Sequence, residues 1–254
     1  MKTKWDYTNL ANAYLKRPDY SRQAIEQLLK MAGVFSGGMA CDIGAGAGHL
    51  TVMLLEHGLK IVAIEPNDVM RANGVKRTLQ YANVVWVEGV AEDTGQTDSL
   101  FDLITFGSSF NVADRKLALI EGARILKPGG WFACLWNYRD LSDPIQSKIE
   151  DMIRSYISDY NYGLRREDQT AVIETSGLFG KVYKIEDTIF HKQSKEDCLE
   201  AWCSHATLYR QAGNCFNVII SDIEKILSNI SSSEITVPYK TCIWLAQVNK
   251  LGSI

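Results

Sequence analysis

The chain has 254 residues, 46% of them apolar, with a formal net charge of −3 and a sequence pI near 5.9. That supplies a substantial core for one large domain. It lacks the strongly basic balance of a nucleic-acid binder and weighs against a polybasic membrane patch.

The N-terminus lacks the apolar segment of a secretory signal, and no stretch reaches membrane-spanning length. The six cysteines include no C-x-x-C pair, and the four histidines have no metal-pair spacing. A cytoplasmic protein with free thiols and no metal is expected. Residues 5–20, rich in aromatics, predict a short amphipathic helix ending near Pro18. Residues 21–32 predict a second helix, with Ser21 as N-cap and Ile25, Leu28, Leu29 and Ala32 on one face. Gly33 and the Gly37-Gly38 pair then release the chain into a first strand, 39–43.

A regular alternation follows. His49 opens a helix to Glu56, and residues 60–65 form a strand stopped by Pro66. Asn67 caps a helix to about Tyr81, and strands follow at 84–88 and 101–106. Asp114 caps a helix through Leu126, and K-P-G-G turns into a strand at 131–136. Continuously apolar strands separated by helices predict a parallel sheet covered on both faces. Right-handed crossovers put the strand C-termini on one edge, where ligands bind near the switch in strand order. Beyond Asn137, helices are predicted at 145–158, 168–176, 195–210 and 215–230, with strands at 182–190 and 241–248. The expected organisation is one domain over 1–254. It comprises an N-terminal helical lid (1–36), a cofactor-binding core (37–137), helical cap elements around the sixth strand (138–234) and a last strand (235–254).

The stretch C-D-I-G-A-G-A-G, Cys41 to Gly48, joins the first strand to its helix through three alternating glycines. Glycine permits the sharp turn and close approach of a ligand, but such a turn alone does not select the ligand. A dinucleotide fingerprint, G-x-G-x-x-G, would need its third glycine where His49 stands; here it falls one residue early, at Gly48. Asp42, two residues before Gly44, would repel a pyrophosphate and attract an ammonium group. Glu65, 21 positions after Gly44, ends the second strand, where an acid can accept from ribose hydroxyls. These features favour S-adenosylmethionine over a dinucleotide.

Asp42-x-Gly44-x-Gly46-x-Gly48, Glu65, the G-V-A-E stretch from Gly89 to Glu92 and L-K-P-G-G from Leu126 to Gly130 resemble a class I S-adenosylmethionine-dependent methyltransferase. The closest branch is the small-molecule one with a methyltransferase type 11 domain. The resemblance runs from Tyr7 to about Asn137, with weaker echoes at Phe179-Gly180 and from Val237 to Tyr239. It implies an α/β, Rossmann-like sheet of seven strands, mostly parallel with an antiparallel last strand. Helices would lie on both faces, with a helical cap from C-terminal insertions.

The resemblance also implies site roles. Asp42 with Gly44, Ala45, Gly46 and Gly48 would hold the methionine end, and Glu65 beside Pro66 the ribose. Ala91 and Glu92 would border the adenine, and Phe106 would join the cofactor contacts. Tyr14 or Arg17, on the lid, would touch the methionine carboxylate. Relatives carry an Asp where this chain has Val90, which shifts adenine recognition to backbone groups or Glu92.

Methyl transfer is an in-line displacement that positioning can largely drive. The segment F-G-S-S-F-N-V-A-D, after the fourth strand, lies where acceptor and sulfonium should meet. Many relatives have His-Trp at Asn111-Val112; Asn111 can orient an acceptor but cannot act as a base. His205, and less so His191, are the candidate bases, and Trp136, Tyr138 and Trp202 the candidate walls of the acceptor pocket. No N-P-P-Y-type motif follows the fourth strand, which weighs against nucleic-acid bases as acceptors. The expected function is transfer of a methyl group to oxygen or nitrogen of a small molecule, with S-adenosylhomocysteine as product. The alternative is a non-catalytic S-adenosylmethionine-binding regulator; a dehydrogenase is opposed by Asp42 and His49.

Overall fold

The computed structural model describes Thr8 and residues 11–250. Tyr7, in the N-terminal aromatic motif, lies outside the described residues. Five strands run parallel: β1 (Met39–Ile43), β2 (Lys60–Ile64), β3 (Val84–Val87), β4 (Phe101–Gly107) and β5 (Leu126–Arg139). With β6 (Phe179–Ser194) and β7 (Glu234–Val248) they form one sheet in the order β3-β2-β1-β4-β5-β7-β6. The last strand, β7, lies antiparallel between β5 and β6, as expected. The strand order reverses at β1 and β4, so the ends of these two strands mark the crevice.

Helices cover both faces. Leu28 of α2 (Arg22–Ala32) and Leu54 of α3 (His49–Glu56) pack with Ala40 and Leu103 on one face. Leu119 of α5 (Arg115–Ile125) and Ile173 of α7 (Thr170–Glu174) pack with Phe106 and Phe132 on the other. The short α1 (Ala11–Tyr14) and α4 (Asp68–Arg77) flank the glycine turn. Ser21, Asn67 and Asp114 are the N-caps the sequence predicts, each accepting from the first-turn N–H groups. Each such cap is worth about 1 kcal/mol.

Beyond β5, helices α6 (Pro144–Tyr156), α8 (Lys195–Cys203), α9 (Ala206–Ala212) and α10 (Phe216–Ser228) share a separate cluster with Ile235, Val237 and Tyr239 of β7. Strands β6 and β7 run longer than predicted. Their distal halves pair with each other from Thr188–Lys240 to Ser194–Glu234, and form the floor on which these helices sit. The helix predicted over 195–210 is in fact two, broken at Ser204 and His205. The His205 ring takes the Leu208 N–H in place of a helical carbonyl. Among the described residues, no helix is long and apolar enough to cross a membrane, and no His, Cys, Asp or Glu group is arranged to hold a metal.

Candidate active site

A cavity of about 720 Å³ opens at the carboxyl ends of β1 to β5. Its size is that of a small-molecule site. Asp42 and Glu65, at adjacent strand ends, form one side of it. Asp42 is 1% exposed, and its carboxylate accepts from Thr51 Oγ1 at 2.6 Å and Thr105 Oγ1 at 2.9 Å. Burial outweighs these two hydrogen bonds and pushes its pKa up to about 6. Glu65 Oε2 accepts from the Gly46 N–H and Oε1 from the Asn67 N–H, both at 2.8 Å. Burial raises its pKa as well. Among the described residues, neither acid has a cation within ion-pair distance.

The turn between them needs its glycines. Gly44 has φ +67°, and a Cβ there would stand 2.5 Å from the Ser109 Cβ. Ser109 in turn donates to the Ile43 carbonyl at 2.5 Å, which seats the end of β4 against the turn. Ser108 has φ +60°, a strained setting for a non-glycine residue, and its hydroxyl shares a 3.0 Å hydrogen bond with the buried Tyr20 phenol. Burial raises the Tyr20 pKa, so this phenol stays protonated near neutrality.

The N-terminal segment contributes Tyr14, Arg17, Pro18 and Tyr20 to the cavity wall. His49 Nε2 lies 3.1 Å from the Tyr14 carbonyl and its Nδ1 2.9 Å from Asp19. The Arg17 guanidinium stacks on the Tyr14 ring at 3.7 Å and donates to the Ser204 carbonyl at 2.8 Å. Lys16 pairs with Asp197 at 2.8 Å, so the segment is held to α8 at two points.

At the far end of the cavity stand Asn111, Tyr138, Arg139, Tyr162, Arg165, Arg166, His205 and Tyr239. Asn111 Oδ1 accepts from the Trp136 indole N–H at 3.0 Å; among the described residues its amide N–H₂ has no hydrogen-bond partner. His205 Nδ1 accepts from the Leu208 N–H at 3.2 Å, so the neutral ring carries its proton on Nε2. Burial, reinforced by nearby arginines, keeps its pKa well below the usual histidine value. A ring fixed in that tautomer offers a donor, which argues against the general-base role expected for it.

Of the predicted cofactor residues, Tyr14, Arg17, Asp42, Gly44, Ala45, Gly46, Glu65, Pro66, Ala91 and Glu92 line the cavity; Gly48 and Phe106 do not. Gly48, at φ +82°, packs against the Trp86 indole, which would lie 3.3 Å from a Cβ. Phe106 points away because Thr105 pairs with Asp42 and shares its face, and strand alternation sends the next side chain to the opposite one. There it packs between Phe110 and Phe132. Glu92 lends Oε1 to the Asp114 N–H at 2.6 Å. Asn111, Tyr138 and His205 also line the cavity, whereas His191, Trp136 and Trp202 do not. Not singled out from the sequence as site residues were Tyr20, read only as part of the aromatic lid, Ser108, and the three arginines Arg139, Arg165 and Arg166. The first two could have been found only as part of the flagged segment after β4 and the aromatic lid.

Residues 41–134 match the family described as a methyltransferase domain. Over that segment the chain is similar to methyltransferases. An uncharacterized methyltransferase of Mycobacterium tuberculosis is 35% identical over 128 residues, 49% of this chain and 48% of that protein. The demethylmenaquinone methyltransferase of Staphylococcus aureus is 33% identical over 135 residues, 52% of this chain and 54% of that protein. The chain thus spans about half the length of the curated relatives it matches. Among solved structures, phosphoethanolamine N-methyltransferase 2 of Haemonchus contortus, with S-adenosylmethionine, aligns at TM-score 0.53 and 18% identity. That alignment covers 97% of this chain and 58% of that one, and at this identity it speaks for the fold alone.

The cavity fits S-adenosylmethionine on its own chemistry. Two buried carboxylates with no ion-pair partner among the described residues border a glycine turn that lines the cavity. A ligand bearing an ammonium group and a pair of vicinal hydroxyls satisfies both.

Proposed function

We propose that the chain transfers a methyl group from S-adenosylmethionine to oxygen or nitrogen of a small-molecule acceptor. The observation that carries this reading is the pair Asp42 and Glu65, buried at neighbouring strand ends around the glycine turn. Bound there, S-adenosylmethionine supplies an electrophilic methyl group on sulfur.

The chain's own residues would then act by placement and electrostatics. Asp42 attracts the ammonium, while Thr51 and Thr105 hold its carboxylate fixed. Glu65 would take the ribose hydroxyls on lone pairs its two backbone partners leave open. The segment from Tyr14 to Tyr20 keeps water from the reacting atoms. The free amide of Asn111 orients the acceptor.

Around the cavity, Asn111 does not titrate, His205 Nδ1 is committed, and burial keeps Tyr20, Tyr138 and Tyr162 protonated. The reading therefore favours an acceptor that needs no enzymic deprotonation, an ionised oxygen or an amine nitrogen. The test is S-adenosylhomocysteine release across a panel of carboxylic acids, amines and neutral alcohols. Turnover confined to the first two groups supports the reading. Bound cofactor with no turnover on any member favours the non-catalytic alternative.

A further inference from the structure

The acceptor end of the cavity holds three arginines that have no ion-pair partner among the described residues. Arg139 ends β5, and Arg165 and Arg166 close the short 3₁₀ turn Gly163–Arg166; all three line the cavity with Tyr162 and His205. Among the described residues, the guanidinium groups of Arg139 and Arg165 have no hydrogen-bond or ion-pair partner. That of Arg166 donates once, to the Arg139 carbonyl at 3.0 Å. Arg139 Nε and Arg166 Nε are buried with no acceptor, a costly arrangement for a charged donor.

Aromatic faces hold these cations in place. The Arg139 guanidinium lies 3.8 Å from the Trp202 ring, and that of Arg166 lies 4.0 Å from the Tyr162 ring. Stacking fixes the plane of each fork and leaves its edge for a ligand. The acids nearby are committed elsewhere. Glu150 accepts from the Tyr162 hydroxyl at 2.5 Å and pairs with Arg154 at 2.7 Å. Asp140 holds the Ser142 N–H and hydroxyl, and Glu167 pairs with Arg115 at 3.6 Å. The His205 ring adds a further donor on Nε2.

We infer that Arg139, Arg165 and Arg166 form an oxyanion subsite, and that the methyl acceptor is a small molecule carrying a carboxylate or a phosphate. This rests on the methyltransferase reading for the word acceptor, but not for the anion site itself. Planar forks match carboxylate and phosphate oxygens in pairs, and a negative ligand in the cavity offsets the charge of all three cations. A neutral acceptor would leave three clustered guanidinium charges with no ion-pair partner among the described residues.

Isothermal titration of the full chain at 150 mM salt tests this with four probes: succinate, succinamide, inorganic phosphate and S-adenosylhomocysteine. Succinate or phosphate is expected to bind at least tenfold more tightly than succinamide, and the stronger of the two identifies the oxyanion. R165Q and R166Q are each expected to weaken that anion at least fivefold, while S-adenosylhomocysteine affinity stays within twofold and reports intact folding. Equal binding of succinate and succinamide overturns the inference. So does an anion affinity unchanged in both variants while S-adenosylhomocysteine still binds. Anion binding that responds to R165Q and R166Q in a protein that ignores S-adenosylhomocysteine supports the subsite and removes the methyltransferase reading instead.

Discussion

Glu65 Oε2 accepts the Gly46 N–H at 2.8 Å, so the acid at the end of β2 holds the glycine turn at the end of β1. Its other oxygen takes the Asn67 N–H, at the residue that caps α4. One carboxylate thus fixes the turn, the neighbouring strand end and the next helix start. In E65Q the amide keeps one acceptor oxygen and turns a donor toward the other N–H. An unsatisfied buried N–H costs about 1–3 kcal/mol, offset in part by removal of a buried charge. A lower midpoint in thermal unfolding and at least tenfold weaker S-adenosylhomocysteine binding are expected. Wild-type values for both would remove the bridging role.

Asp42 is predicted to act in opposite directions on stability and binding. Its pKa in the folded chain is about 6, against an ordinary value of 3.8, because burial disfavours the charged form. The folded state therefore holds the extra proton between these values. Stability from this group is lost as pH rises through that window and is flat above it. The full shift corresponds to roughly 3 kcal/mol at neutral pH, an upper figure. D42N should raise the midpoint of unliganded protein at pH 7.5 and largely abolish S-adenosylhomocysteine binding.

The same shift sets the pH dependence of binding. Only the ionised Asp42 attracts an ammonium, so affinity should be level above about pH 6.5 and fall toward pH 5 by about tenfold. Calorimetric titrations at half-unit intervals measure this. An affinity flat from pH 5 to 8 would separate Asp42 from the ligand's positive charge.

His205 is predicted to act as a cap and a donor. Asn is a strong N-cap that can accept the same Leu208 N–H, so H205N should keep stability to within about 1 kcal/mol, whereas H205A loses about that much. Turnover in H205N should fall less than tenfold, with an unchanged pH profile between 6 and 8. A loss of several hundredfold, or a vanished pH limb, would restore the general-base role.

The parts of the site that sequence disclosed are local. Asp42 and Glu65 could be read because each sits at the junction of an apolar strand and a turn signal, and their spacing follows from one strand-helix-strand unit. Phe106 misled because β4 is buried on both faces, so its run of apolar residues carries no mark of which side meets the cavity. Gly48 misled because a glycine that admits a ligand and one that admits an indole look alike. The arginines were out of reach for another reason. Arg139 and Arg166 meet only because β5 and the turn after α6 fold back over one another, and no short-range pattern encodes that. The break at Ser204 was hidden by an apolar periodicity that runs through it.

The most direct test of the account is calorimetric titration of the full chain with S-adenosylhomocysteine and, in parallel, with NAD. Saturable one-site binding of S-adenosylhomocysteine, no heat from NAD and loss of the signal in D42N are predicted. Binding of NAD without binding of S-adenosylhomocysteine would contradict the account.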